Sequence, residues 1–522
     1  MSDTLSTEHF ELVVIEAGRA PRRRVNSLYW WIMSLQRTFP GLKTNNLFGT
    51  YQVPDFPMDE ARFGVKKGEH VPAKKVFEYL QALVKDRGLQ QHIQYITKVR
   101  VVEQVREGWK LHVSISNSNA TEVAAVIYAS KLIVAVGLTN QASMPRYPTS
   151  PDFESIVTHS SGFASQFSEI MKEGTHTLVV GGGKSAWDIA YACATQPNST
   201  ATLLIRSSGN GPSWMAPSHV TLLGLWLEKL VFTRFFGYMS PCPWAEMIMS
   251  IFWQILGDDV IQLNKLHNYP ETEKLRPWWD AFEAGNGLSI MNYPTSWFDL
   301  MRQGKIKIVI DEIEQFGNRI DVQVKSRETI KVDAVVCATG WKTGGGIEFK
   351  SEGLRYQLGL VTNEIYERYH FLKTRDTSRV HHPDSALRFT AISQYVQQPY
   401  RLHRFLVPPA FLEQRSIGFA DGTVKLPQAS SEKIRREVYR DTQYCALRHA
   451  MRCGDVYPDM VFDSLPYFDA LLRDLGLEDK RKGTVLGCKH WVAESFQSYG
   501  PKDYEGLVDE WKRMMASEAG AK

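Results

Sequence analysis

The 522-residue sequence predicts an α/β protein with two parallel-sheet units, the second inserted into the first, followed by a helical C-terminal segment. Three observations lead to this prediction. Two β-rich meanders, at 94–136 and 305–339, each end in an apolar strand followed by a small residue and glycine. Between them, a strand, a glycine-rich turn, a helix and a second strand follow in close succession. From about residue 430 the pattern is helical, most clearly at 432–452 and 503–515.

Composition restricts the class of protein. Hydrophobic residues make up 43% and charged residues 23%, which is typical of soluble globular chains. The net charge of +4 comes with no long basic stripe, so no nucleic-acid partner is predicted. The six cysteines are widely spread without a CxxC pair, which favours reduced thiols in a cytoplasmic protein over a disulfide framework or a metal site. The N-terminus lacks the pattern of a secretory signal.

The first meander consists of three predicted strands, at 94–105, 109–115 and 121–136, and Gly137 follows the last of them. The second meander ends in Ala-Thr-Gly-Trp, which places Gly340 at the equivalent position. Because glycine has no Cβ, such a strand end can bring bare backbone against a bound molecule. Both glycines are therefore predicted to lie beside a cofactor.

The glycine-rich turn lies at the centre of the chain. Gly181, Gly182 and Gly183 follow the apolar strand 175–180, and Lys184, Ser185 and Ala186 open the next helix. This order fits the GxGxxA pattern of a dinucleotide-binding, or Rossmann-like, unit. The glycines permit a tight turn and close approach of backbone N–H groups to a pyrophosphate, and the helix N-terminus favours its charge. The turn and the helix start are predicted to bind a dinucleotide.

The end of the second strand, 201–206, selects between the two nicotinamide cofactors. An acidic residue there accepts a hydrogen bond from the ribose of NAD, whereas an arginine suits the 2′-phosphate of NADP. This sequence has Arg206, followed by two serines. NADPH is therefore predicted, the alternative being an ordinary exposed arginine at a strand end.

An aromatic-rich insert at 209–300 follows this unit and is a candidate apolar substrate surface, although any single aromatic residue can equally belong to the core. Its most apolar part, 220–256, is interrupted by charges and prolines, so no transmembrane helix is predicted. A helical insert that lines the substrate site is favoured over contact with a membrane surface, which stays open.

Several strings together resemble the flavin-containing monooxygenase family, in particular its fungal members. Phe153, His159 and Phe163 fit the family fingerprint FxGxxxHxxx[YF], with Ser155 in place of its glycine. PGLKTNNLFGTYQVPDFPM (40–58) resembles the block in which an asparagine, here Asn45, stands beside the flavin. The helix string at 70–84, the GGGKSAWD turn and ATGW at 338–341 also resemble family motifs. Read alone, His159 could be a satisfied loop histidine and Asn45 a turn residue.

The resemblance implies an enzyme with FAD and NADPH as cofactors. Its expected activity is monooxygenation of a small apolar organic substrate by molecular oxygen, through a flavin C4a-hydroperoxide. N- or S-oxygenation, Baeyer–Villiger oxidation and epoxidation are all compatible with it, and secondary metabolism is the expected setting. The expected domains are a first part of the FAD domain (1–170), an NADPH domain (171–335) and a FAD-domain return with the helical C-terminal region (336–522).

One feature departs from the family at the N-terminus. After the strand 11–15, the turn reads Glu16-Ala17-Gly18-Arg19-Ala20-Pro21, so that only Gly18 is left to approach FAD. The stretch before Pro40 is too short for a helix and the usual second strand ending in an acid. An error in the sequence such as a mis-called exon, a diverged site that binds FAD weakly, and loss of redox chemistry all explain this. The last leaves a flavin-less pseudoenzyme or an NADPH-binding protein as alternatives.

Overall fold

In the computed structural model, the described residues are 7–16, 38–49, 52–95, 97–116, 122–135, 141–209, 211–217, 221–222, 225–226, 257–258, 260–262, 264–278, 289–342, 346–350, 477, 484–485, 488–489 and 504–520. The strands in chain order are β1 (Thr7–Glu16), β2 (Lys43–Leu47), β3 (His70–Pro72), β4 (Thr97–Val105), β5 (Gly108–Ser116), β6 (Glu122–Ala135), β7 (Gln141–Ala142), β8 (Ile156–His159), β9 (His176–Val180), β10 (Thr200–Ile205), β11 (Met215–Pro217), β12 (Thr221–Leu222), β13 (Leu225–Trp226), β14 (Ser289–Met291), β15 (Ile306–Ile310), β16 (Ile313–Phe316), β17 (Asp321–Val324), β18 (Thr329–Lys331), β19 (Ala334–Cys337), β20 (Trp341–Lys342), β21 (Glu348–Phe349), β22 (Thr484–Val485) and β23 (Cys488–Lys489). The helices are α1 (Glu60–Phe63), α2 (Ala73–Asp86), α3 (Phe167–Ile170), α4 (Lys184–Ala194), α5 (Pro270–Glu273), α6 (Trp297–Arg302) and α7 (Leu507–Gly520), with 3-10 turns at Gln90–His92 and Leu266–Asn268.

The first large sheet has the strand order β1-β6-β5-β4-β21. The meander β4-β5-β6 is antiparallel, while β1 runs parallel to β6 and β21 runs parallel to β4. Side chains that alternate along the strands bury one face of the sheet, as with Val13 and Ile15 of β1 against Leu111 and Ile127. β1 lies at an edge of this sheet, and no described strand pairs with its outer side; residues 17–37, which follow β1, lie outside the described residues.

The second large sheet is entirely parallel, in the order β15-β10-β9-β19-β8. Both of its faces are covered, as parallel sheets require. Helix α4 packs on one face through Trp187 and Ile189. On the other face, Leu178 and Val180 belong to a core cluster with Phe316 and other residues of the antiparallel sheet β16-β17-β18. The strand, turn, helix and strand predicted around 175–206 are therefore present as β9, α4 and β10.

A smaller unit at residues 38–95 packs against the first sheet. Helix α2 buries Val76, Tyr79 and Leu80 on one face, and the Tyr79 hydroxyl accepts a hydrogen bond from the Val53 N–H at 2.7 Å. At the C-terminal end of α2, Val84 clusters with Val14 of β1. The β2-β3 pair, which carries Asn45, lies at the start of this unit.

The predicted strands of both meanders are confirmed, as is the helix within 503–515, since α7 covers most of it. The 432–452 segment lies outside the described residues. β8 and β19 both lie in the second sheet, and β21 is again a strand of the first sheet. The exact domain boundaries stay a prediction. In the described part of the chain, no helix combines the length and apolarity needed to cross a membrane.

Candidate functional site

The glycine turn lies between β9 and α4, pressed against neighbouring backbone. The Gly181 N–H donates to the Leu204 carbonyl of β10 at 2.9 Å, which continues the strand pairing into the turn. Gly181 has φ +142°, and a Cβ there would stand 2.5 Å from the Ala338 carbonyl oxygen. The conformation and the close approach both require glycine. The turn is therefore packed against the segment that leads to Gly340.

Gly182 lies against the start of the insert. A Cβ on it would stand 2.4 Å from the Gly211 carbonyl oxygen, and its own carbonyl accepts the Ser213 N–H at 3.0 Å. Gly211 in turn leaves no room for a side chain, because a Cβ there would stand 2.4 Å from the Trp278 ring. Gly183 has more room, since the nearest described atom to a Cβ built on it would be the Ser213 Oγ at 3.8 Å. The turn is thus closed behind Gly182 and open at Gly183.

Helix α4 begins directly after Gly183, which makes no side-chain capping bond. The N–H groups of a first helical turn lack intrahelical partners, so this end of the eleven-residue helix favours an anion. Ser185 is exposed in this turn. Arg206 is exposed at the end of β10, and within the described residues no hydrogen bond or ion pair holds its guanidinium. Donor groups are therefore present on both sides of the open turn.

Lys184 points into the protein. Its ammonium donates to Asp188, one turn along α4, and to the Asn292 Oδ1 at 3.2 Å. It also lies 4.9 Å from the centroid of the Tyr293 ring, whose hydroxyl donates to the Asp188 Oδ1 at 2.9 Å. Burial raises the pKa of the Asp188 carboxyl and raises that of Tyr293 well above its usual value. Lys184 partly offsets the shift at Asp188.

Asn292 connects this cluster to the strand that carries Asn45. Its side chain is 5% exposed, and its Nδ2 donates to the Thr44 carbonyl at 2.8 Å. Asn45, the next residue in β2, is exposed. The structure therefore brings Lys184 and the Asn45 strand to either side of one buried amide.

The fingerprint residues have structural contacts. His159 ends β8 and is 7% exposed; its Nδ1 accepts the Ser161 N–H at 3.1 Å, so the Nε2–H donates to the Gly340 carbonyl at 2.9 Å. Phe163 is fully buried. The ring of Phe153 stacks on Phe316 with centroids 4.8 Å apart.

Ser155, which stands where the family has glycine, donates its hydroxyl to the Val332 carbonyl at 2.6 Å. The departure at this position thus replaces a residue without a side chain by an additional hydrogen bond between β8 and the end of the second meander.

Gly340 has φ +79° and open space around it. Its carbonyl also accepts the Ser143 N–H at 3.0 Å, and the adjoining strands β20 and β7 pair with each other. β7 comes shortly after Gly137 in the chain. Gly137 and Gly18 themselves lie outside the described residues, as do residues 227–256 of the insert.

Sequence reasoning missed Asp188, Asn292, Tyr293 and Thr44. Asp188 is spaced i, i+4 from Lys184, which is a readable signal for a helix pair. Asn292 and Tyr293 follow the apolar strand β14, but nothing local indicates that they meet α4 more than 100 residues earlier in the chain. Their partners become visible only in the folded protein.

The known proteins that this chain resembles are oxidoreductases. Residues 3–223 match the family described as pyridine nucleotide-disulphide oxidoreductase. The chain is 25% identical to the FAD-dependent monooxygenase resA of Aspergillus sclerotiorum, over 92% of this chain and 91% of that protein. It is 26% identical to the FAD-dependent monooxygenase rstn6 of Aspergillus nomiae, over 92% and 91%.

Among solved structures, the fold is similar to that of the polycyclic ketone monooxygenase from Thermothelomyces thermophila. The TM-score is 0.51 at 12% identity, covering 68% of each chain. The predicted α/β fold class with two Rossmann-type domains is confirmed by this likeness and by the two large sheets. The names of these relatives agree with the predicted enzyme class and with FAD as a cofactor. Over most of its length, the chain is similar to fungal FAD-dependent monooxygenases.

Proposed function

We propose that this chain inserts one oxygen atom of O₂ into a small apolar organic substrate, with NADPH as the reductant of a bound FAD. The observation that carries the proposal is the turn at Gly183. It is open on the side of the α4 N-terminus, and an exposed Arg206 without a described partner follows the next strand.

The residues present fit NADPH. A pyrophosphate would meet the backbone of the turn and the first N–H groups of α4, since no described atom would come nearer than 3.8 Å to a Cβ built on Gly183. Arg206 would pair with the 2′-phosphate, which NAD lacks. Ser185 offers a hydroxyl in the first turn. Lys184 would act from behind the turn, because its ammonium is engaged by Asp188 and Asn292.

For FAD, the described residues include the strand ends at which it would bind, but not the turn that follows β1. Glu16 of β1 lies opposite Ala135 of β6 in parallel register, so Gly18 and Gly137 each follow one of two adjacent strand ends. Ligands of α/β sheets bind at the carboxyl ends of parallel strands, which supports a FAD site there. The carboxylate of Glu16 at the start of the turn weakens this fit relative to the family pattern.

When bound, the flavin supplies the redox and oxygen chemistry, and the protein positions the reactants and excludes water. Asn45, exposed on β2, is proposed to stand on the flavin side of the site. The apolar insert is proposed to contact the substrate. A ketone is the first substrate class to test, since the similar solved structure is a polycyclic ketone monooxygenase. Sulfides, amines and alkenes follow, and the proposed setting is secondary metabolism.

The visible absorption spectrum of the purified chain tests the proposal. We expect a flavin spectrum, present as isolated or after addition of FAD, that bleaches with NADPH under nitrogen and returns in air. Oxygenated product is then sought with a cyclic ketone, a sulfide, a tertiary amine and an alkene. A protein that retains no flavin after FAD is added, but that binds NADPH, would contradict the proposal and support an NADPH-binding protein without flavin.

A further inference from the structure

A buried polar network joins the NADPH turn to the strand that presents Asn45. We infer that Asn292 is a positioning residue that transmits binding of NADP(H) at residues 181–186 to strand β2. This inference rests on the proposed function of the turn. It concerns the coupling of two parts of the site, which neither the turn nor the family resemblance assigns to any residue.

The first step is the state of Lys184. This residue immediately follows the open Gly183, so a ligand against the turn alters the position or the field around the start of α4. The Lys184 side chain is only 16% exposed and its ammonium contacts Asp188, Asn292 and Tyr293. A displacement at the turn therefore reaches Asn292 directly through the Nζ to Oδ1 contact at 3.2 Å.

The second step is the amide of Asn292, which is bonded at both ends. Its oxygen accepts from Lys184 and its nitrogen donates to the Thr44 carbonyl at 2.8 Å. A buried side chain that is 5% exposed and held on both sides has little freedom to move alone. Movement at one end is therefore passed to the other.

The third step is the geometry of Thr44. Its carbonyl belongs to the peptide unit that contains the Asn45 N–H, so Asn292 holds the peptide plane next to Asn45. The Thr44 hydroxyl donates to the Asn46 carbonyl at 2.6 Å and accepts the Val71 N–H at 3.1 Å. Through these bonds, a shift at Thr44 involves the whole β2-β3 pair. The network is continuous from the turn to β2.

The protein offers a matched control. Asn264 is also buried, at 8% exposure, and its Nδ2 also donates to a backbone carbonyl, that of Met215, at 2.6 Å. It does not contact Lys184 or β2. Asn→Asp at either position removes the donor and keeps the shape, and at Asn292 it keeps an acceptor for Lys184. Both variants are expected to lose some stability because each loses a buried hydrogen bond. Only Asn292→Asp is expected to lose the coupling between the turn and β2.

The test is hydrogen exchange measured by mass spectrometry, with NADP⁺ as the probe and no turnover. In the full-length wild type we expect saturating NADP⁺ to slow exchange of the 181–186 and 40–48 peptides. The exchange at 40–48 is expected to slow by about 5-fold or more. In Asn292→Asp we expect slowing at 181–186 but not at 40–48. Asn264→Asp should behave as the wild type. Asn292→Ala, paired with Asn264→Ala, is measured alongside in case the buried carboxylate prevents folding.

Two results would contradict the inference but not the proposed function. In one, NADP⁺ slows exchange at the turn but not at 40–48 in the wild type. In the other, NADP⁺ still slows exchange at 40–48 in the Asn292 variants. Equal loss in the Asn264 variants also overturns it, because the effect would then belong to general packing. A wild type that shows no NADP⁺ binding by calorimetry overturns the inference together with the proposed function.

Discussion

Adjacent glycines of the turn differ in their surroundings, although the GxGxxA pattern emphasises the first and third positions. Gly182 has no room for a side chain, whereas Gly183 faces open space. We expect Gly182→Ala to lower the free energy of unfolding by about 1–3 kcal/mol, as overpacking does. Gly183→Ala should change it by less than about 0.5 kcal/mol but weaken NADPH binding, because the new methyl group occupies the ligand side.

Chemical denaturation and NADPH titration separate these two effects. A Gly183 variant that binds NADPH as the wild type does would contradict the placement of the pyrophosphate at this residue. A Gly182 variant of wild-type stability would show that the loop at Gly211 moves away at little cost.

Arg206 carries the choice between the two nicotinamide cofactors. Hydrogen bonds to charged groups are worth about 1.5–3 kcal/mol, so Arg206→Ala should raise the Kd for NADPH by roughly 10- to 100-fold. The Kd for NADH should change little, because NADH has no 2′-phosphate. Fluorescence titration of both cofactors measures this. Arg302→Ala, which removes an exposed arginine paired with Asp299, is the control. Equal weakening of both cofactors would argue against contact with the 2′-phosphate.

At the scale of elements, one histidine joins three strands of the second sheet. The His176 ring lies between the hydroxyls of Thr200 and Thr202 on β10, at 2.6 and 3.0 Å, and the backbone N–H of His176 donates to the Asp333 carboxylate beside β19. Burial lowers the pKa of His176 below 6.5, while Asp333 opposes this shift. The ring is therefore held neutral in the folded state.

Since the unfolded chain binds this proton more readily, the contribution of His176 to stability is complete above the unfolded pKa of 6.5 and is lost as the pH falls toward the folded value. We expect the free energy of unfolding to fall between pH 7 and 5. His176→Gln should reduce this slope, by less than about 1.4 kcal/mol per pH unit. Denaturation at several pH values measures it. An unchanged slope would assign the acid sensitivity to other groups.

Local patterns predicted the elements that depend on neighbouring residues. The meander strands, the β9-turn-α4 unit and the exposed Arg206 all follow from periodicity and turn chemistry within short windows. The pairing of β19 with β8 and β9 depends on contacts across more than about 150 residues, and no local pattern encodes it. The Lys184–Asn292–Thr44 network was missed for the same reason, since buried polar partners are chosen by the tertiary fold.

At the scale of the whole molecule, two sheets present separate ligand edges. The proposed NADPH site is the turn between β9 and α4, and the proposed FAD site is at the ends of β1 and β6. β7, which follows β6 in the chain, pairs with β20, which follows Gly340, and His159 donates to the Gly340 carbonyl. Substitutions at one edge are therefore expected to affect mainly the ligand of that edge.

Thermal unfolding of the complete chain tests this division. A ligand at 100 times its Kd stabilises the folded state by about 2.7 kcal/mol, so NADP⁺ and FAD should each raise the Tm of the wild type by about 2–3 °C. Gly183→Ala should lose the NADP⁺ shift and keep the FAD shift, because its methyl group faces only the NADPH edge. Loss of both shifts would mean that the two cofactors share one site. A wild type with an NADP⁺ shift but no FAD shift would show that the turn after Glu16 no longer holds a flavin.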